Sequence, residues 1–160
     1  MLVAGIGNLF RGDDGFGPEV VRRLIADNAL PEHVHAVDYG IRGMHLAYDL
    51  LDGYDALVIV DALPGDTAGE VSVLEVGPND LSSGDLDPHG MAPVAVLGSL
   101  ESLGGRLPPT YVVGCTPADL EDGIGLSPEV EAAVPAAMDL VRVLIDERIP
   151  ALAAATSETS

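Results

Sequence analysis

The acids of this 160-residue chain fall where chemistry could be done with them. Asp14 closes an Asp13–Asp14 pair in a glycine-rich stretch after the first apolar run. Asp38 follows VHAV, Asp61 ends LVIV, and Asp87 and His89 stand in LDPHGM. Two carboxylates and an imidazole make an oxygen and nitrogen ligand set suited to a borderline divalent cation, with positions left for a further ligand. Each residue also has a plainer reading, and spacing alone does not establish a metal site. Asp14 precedes a helix, where a carboxylate complements the positive end of the dipole. His89 taken alone is a solvated loop residue. Asp61 is harder to reduce to structure, because an acid ending an apolar run on a central strand is badly placed for solvation.

Other chemistries lack their residues. All seven basic residues are Arg, so amine nucleophiles and P-loop lysines are excluded. Cys115 is the single cysteine, which rules out a disulfide framework and reads as a small buried side chain. HExxH, GxSxG and GxxxxGK[ST] do not occur. Gly5 and Gly7 begin a GxGxxG pattern, but Phe10 stands where its third glycine belongs, and Asp38 lies beyond the roughly 20-residue spacing of a ribose-binding acid. His33 and His35 share one strand face and, like His45, read as surface. The balance of 26 acidic to 7 basic residues, net charge −19, argues against a nucleic-acid partner. No apolar run approaches the roughly 18 residues of a spanning helix, and no basic leader precedes the first apolar run. The expectation is a soluble, cytoplasmic protein without membrane insertion.

The elements that must carry these acids alternate between short apolar runs and amphipathic stretches, the signature of an α/β fold around a largely parallel sheet. Strands are expected at 1–6, 34–38, 55–61, 69–76 and 110–115, and helices from Pro18 to about 28, at 42–51, 91–103, and from Pro128 behind an N-cap Ser127 to about 147. Pro135 should bend or split the last helix. The run 69–76 follows a connection too short for a helical crossover and is expected as an antiparallel edge strand. Residues 1–149 make one domain, and 150–160 read as a flexible tail. In open parallel sheets the site lies beyond the carboxyl ends of the strands, which brings Asp14, Asp38 and Asp61 to one rim.

Several separated stretches resemble the nickel-iron hydrogenase maturation endopeptidases: GIGNLFRGDDGFGPEVV (5–21), DYGIRG (38–43), VIVDAL (58–63), DPHGM (87–91) and VVGCTPADLEDGIGLSPEV (112–130). They run in order through nearly the whole chain. The resemblance implies a single α/β domain with a twisted, largely parallel five-stranded sheet and helices on both faces. It implies removal of a short C-terminal extension from a hydrogenase large-subunit precursor after nickel insertion. Asp14, Asp61 and His89 carry over as metal ligands and catalytic residues, and the nickel is expected to arrive with the substrate, other divalent ions substituting for it. Either Asp14 or Asp61 would serve as base. Gly7, Asn8, Asp38, Gly40 and Gly43 are the expected substrate-binding positions. The plainer reading of the glycines is tight packing and a glycine-dependent turn.

Two other classes share parts of this pattern. An acidic pair after strand one and an Asp ending strand three also resemble a phospho-receiver domain, but such domains use a Lys at the end of strand five, where this chain reads GCTPADL. A nucleotide-binding α/β module is the other, weakened by the broken third glycine.

Overall fold

Alternation along LVIVDA sets the two layers of the molecule. In β3 (Leu57–Ala62), Val58 and Val60 pack into one apolar layer and Leu57 and Ile59 into the other, all fully buried. Burial on both faces is what a central parallel strand requires. The computed structural model describes residues 1–27, 30–41, 43–76, 100 and 103–148. Around β3 stand β1 (Leu2–Ile6), β2 (His35–Gly40), β4 (Val71–Val76) and β5 (Thr110–Cys115). The sheet order is β2-β1-β3-β5-β4; the pairs β1–β2, β1–β3 and β3–β5 are parallel, and β4–β5 is antiparallel. The edge strand therefore takes the direction its short connection demands.

Helices cover both faces. On one lie α1 (Phe16–Ala26) and α3 (Pro128–Val143), whose Phe16, Val20, Leu24, Val130 and Val134 pack on Val3, Val58, Val60 and Val113. Phe16 has no exposed surface, and its truncation to Ala would cost about 3–5 kcal/mol. On the other face α2 (Gly43–Leu50) sets Leu46 and Leu50 against Leu2, Ala4, Leu57 and Ile59. The Tyr39 hydroxyl donates to Asp49 Oδ2 at 2.6 Å, tying β2 to α2. His33, His35 and His45 are exposed. No helix among the described residues is long and apolar enough to cross a membrane.

Two helix expectations need correction. The first helix begins at Phe16 rather than Pro18, because a 3-10 turn at Gly12–Gly15 feeds straight into it. Pro18 falls on the third helical position, still within the first turn, where N–H groups have no intrahelical partner. Of the bend or split expected at Pro135, the split does not occur: Pro128–Val143 is one helix. Pro135 lies on its exposed side, as does Glu131, whose carbonyl would otherwise accept from it. Ser127 caps α3 as expected, accepting from Val130 N at 3.4 Å, and a π turn, Leu144–Arg148, follows it. Of the helix expected at 91–103, Leu100 is helical and fully buried and Leu103 is in a turn; the rest, with the tail 150–160, lies outside the described residues.

Candidate active site

Asp61 is the fifth residue of β3, opposite Gly114 of β5, and its place near the strand's carboxyl end leaves it only 6 % exposed. Asp14 comes to the same rim from the 3-10 turn Gly12–Gly15. Two glycines let that turn sit so close. A Cβ on Gly17 would stand 2.1 Å from Val60 O and 2.5 Å from Ile6 O, so α1 can start against the ends of β1 and β3 only without a side chain there. Gly7, at φ +145°, passes the Asp14 carbonyl at a distance where a Cβ would be 1.8 Å from its oxygen. Asn8 N donates to Asp14 Oδ2 at 2.9 Å, while Asn8 Oδ1 accepts from Phe10 N at 2.9 Å, so one residue orients the carboxylate and shapes the loop.

The two acids feel one another. Burial, then the negative charge of Asp14, push the Asp61 carboxyl up to about 8; the bond from Ala62 N to Asp61 Oδ1 at 2.8 Å only partly opposes them. Asp61 thus holds a proton at neutral pH unless a cation displaces it. Asp87 and His89 lie outside the described residues, and among the described residues no three His, Cys, Asp or Glu side chains gather into a metal cluster. The described part of the expected trio is the Asp14–Asp61 pair.

The sequence profile of the hydrogenase maturation proteases matches residues 18–143. The hydrogenase 2 maturation protease of Escherichia coli K12 is 32 % identical over 151 residues, spanning 92 % of this chain and 91 % of its own. The chain belongs to the hydrogenase maturation protease family. Solved structures agree. The hydrogenase maturating endopeptidase of E. coli superposes with TM-score 0.75 at 30 % identity over 91 % of both chains. A hydrogenase 2 maturation peptidase from a Thaumarchaeota archaeon gives 0.69 at 34 % identity, covering 91 % of this chain and 97 % of its own. The five-stranded mixed sheet is the fold of these proteases, and the chain is by family a hydrolase.

Gly7, Asn8, Asp38 and Gly40 line one cleft of about 370 Å³ with Leu9, Phe10, Tyr39 and Ile41. Gly40, at φ +56°, makes the turn out of β2; its N–H donates to Asp38 Oδ1 and its carbonyl accepts from Gly7 N, both at 2.9 Å. Gly43 opens α2 three residues later. Leu9 and Phe10 form a ridge with a second cleft of about 430 Å³ behind it, walled by Ile124 and Leu126. Phe10 is 66 % and Ile124 81 % exposed.

Two further buried groups stand close by: Cys115, opposite Ala62 of β3, and Asp13, next to Asp14 in the 3-10 turn. Burial and the nearby charge of Asp13 push the Cys115 thiol up to about 11, so it stays protonated and is unfit as a nucleophile. Asp13 escapes the sequence reading, which treats it only as half of an acidic pair. Its carboxylate is fully buried and accepts from Ala118 N, Asp119 N and Ser127 Oγ at 2.8 Å on Oδ2 and from Ser127 N at 2.6 Å on Oδ1. Burial alone would raise its pKa, but the bonds from Ser127, Asp119 and Ala118 together hold it below the usual carboxylate value. The partners are 105 to 114 residues away in the chain, so no local pattern marks them.

Proposed function

We propose that this chain is the endopeptidase that removes a short C-terminal extension from a nickel-iron hydrogenase large-subunit precursor once nickel is in place. Asp14, Asp61 and His89 are the ligands it offers to the substrate's nickel. The observation that carries this reading is the buried Asp61, near enough to Asp14 to feel its charge, with Ala62 N–H as its one donor among the described residues. A divalent cation between two such carboxylates converts their repulsion into attraction and releases the Asp61 proton. Other divalent ions of similar ligand preference would substitute for nickel.

Nickel already held by the precursor is part of the substrate, so cleavage waits on metal loading. The scissile carbonyl lies next to the ion, which polarises it. Water's oxygen bonds to the carbonyl carbon, the C–N bond breaks, and the water's proton is delivered to the leaving nitrogen. Once the cation has released the Asp61 proton, a carboxylate of the pair, Asp14 or Asp61, takes the water's proton and returns it to the leaving nitrogen. The cleft lined by Gly7, Asn8, Asp38 and Gly40 takes the precursor segment beside the scissile bond, and Gly43 belongs to the same substrate-binding stretch. The cytoplasm, where the precursor would be loaded, is the compartment implied.

Intact-mass analysis of nickel-loaded and nickel-free precursor, incubated with the wild type and with Asp14→Ala, Asp61→Ala and His89→Ala, tests this reading. The expected result is loss of a C-terminal peptide only with nickel and only with all three residues intact. Equal cleavage of nickel-free precursor, or cleavage that survives the three substitutions, overturns it.

A further inference from the structure

We infer that Asp13 is a positioning residue for this reaction: its carboxylate locks the turn bearing Asp14 onto the segment that follows β5, and so sets the direction in which Asp14 meets its cation. The inference rests on the nickel contact and processing activity proposed above. Asp13 and Asp14 are successive residues of one 3-10 turn, Gly12–Gly15, with Cα atoms about 3.8 Å apart, so the turn cannot shift at one without shifting at the other.

The lock has two strands of bonding. The Asp13 side chain accepts from Ala118 N, Asp119 N, Ser127 N and Ser127 Oγ. The backbone adds Asp13 N to Asp119 O at 2.8 Å, Gly12 N to Gly123 O at 2.9 Å and Gly123 N to Phe10 O at 2.8 Å. On the other side of the turn, Asp14 N donates to Arg11 O at 3.1 Å and Asp14 Oδ2 accepts from Asn8 N. Asp14 is thus aimed from one side by Asn8 and braced from the other by Asp13.

Only a carboxylate satisfies this geometry. Four donors converge on two oxygens, three on Oδ2 and one on Oδ1, and an amide with its oxygen in the Oδ2 place would turn its NH2 group toward Ser127 N–H and set two donors against each other. Asp13 therefore does for Asp14 what outer-shell hydrogen bonds do for metal ligands generally: it fixes orientation without touching the ion. Displacement of a reacting group by about 1 Å can cost a hundredfold in rate, so a brace of this kind is felt in turnover.

The test compares wild type, Asp13→Asn and Val134→Ala. Val134 is fully buried mid-α3 in the apolar core, and its truncation controls for lost stability. Calorimetric titration of the full chain with Ni²⁺ alone, below the melting temperature of every variant, is paired with kcat and KM on nickel-loaded precursor. Asp13→Asn is expected to weaken nickel binding about tenfold or more and to lower kcat by at least as much, with a smaller change in KM. Val134→Ala should stay within about twofold of wild type on all three. Asp13→Asn matching Val134→Ala in nickel affinity and kcat overturns the inference. If Asp13→Asn does not fold, Ser127→Ala, which deletes the Oγ bond, carries the test: about threefold weaker nickel binding is expected, and unchanged binding overturns the positioning role. A wild type that neither binds nickel nor cleaves the loaded precursor overturns the proposed function, and the inference with it. A wild type that works beside an equally good Asp13→Asn overturns the inference alone.

Discussion

Asp13 and Asp61 are both buried carboxylates at the same rim, yet their surroundings push them in opposite directions. Asp13 is met by four donors from the segment after β5 and is held below the ordinary carboxylate pKa. Asp61 receives the neighbouring Ala62 N–H, faces Asp14, and is pushed up to about 8. A buried carboxylate met by several donors keeps its charge at little cost, whereas one buried beside a like charge weakens the fold when it ionises. On the function proposed above, the difference separates an acid that holds the site from one that works in it, although Asp13 adjoins Asp14 in sequence.

Substitutions can break that contrast, the largest effect coming from Asp61. Asp61→Asn should lower processing of nickel-loaded precursor by about 10³-fold, read by intact mass against time. The same variant should be more stable than metal-free wild type at pH 8–9, by about 1–2 kcal/mol in denaturant melts. The sign follows from the raised pKa. Native Asp61 keeps its proton up to about 8 while the unfolded chain loses it near the ordinary carboxylate value of 3.8. Wild-type stability from this group is therefore full below that lower value and falls as pH rises through 8, whereas Asn does not titrate.

Asp13→Asn should do the reverse to stability, costing about 2–4 kcal/mol near neutral pH because the Ser127 N–H loses its acceptor and the remaining bonds lose their charge. Its deficit relative to wild type should shrink in acid. The depressed pKa means that the stability Asp13 supplies is present above the unfolded carboxylate value and is lost as pH falls through the folded one. Melts from pH 7 to pH 3 would show the two curves converging.

Gly17→Ala tests whether the close approach of α1 is what brings the acids together. A Cβ 2.1 Å from Val60 O forces α1 off the strand ends, so a loss of about 1–3 kcal/mol in stability should accompany at least tenfold slower processing. Cys115→Ala is the smallest change. The thiol is buried and stays protonated, so processing should remain within about threefold and stability within about 1 kcal/mol.

Much of the site could be read from the chain because strand ends are local features. LVIVD marks both a central strand and the acid at its end, and the glycine-rich loop before Phe16 marks where Asp14 must come over the same rim. The edge strand was legible from the short link before it. Asp13 was not, because its partners at 118, 119 and 127 are joined to it only by the fold. The early start of α1 was hidden by a 3-10 turn that continues into the helix, and the unbroken run of α3 through Pro135 was hidden because the cost of a proline depends on which side of the helix it faces. His89 and Asp87 were singled out by sequence and lie outside the described residues.

Carboxyl ¹³C NMR titration of metal-free protein measures the contrast at its source. Asp61 should titrate with a midpoint near 8 and move down in Asp14→Asn, while Asp13 titrates below the ordinary carboxylate range in both proteins. Midpoints for Asp13 and Asp61 that coincide near the ordinary carboxylate value would contradict the division between an acid that holds the site and an acid that works in it.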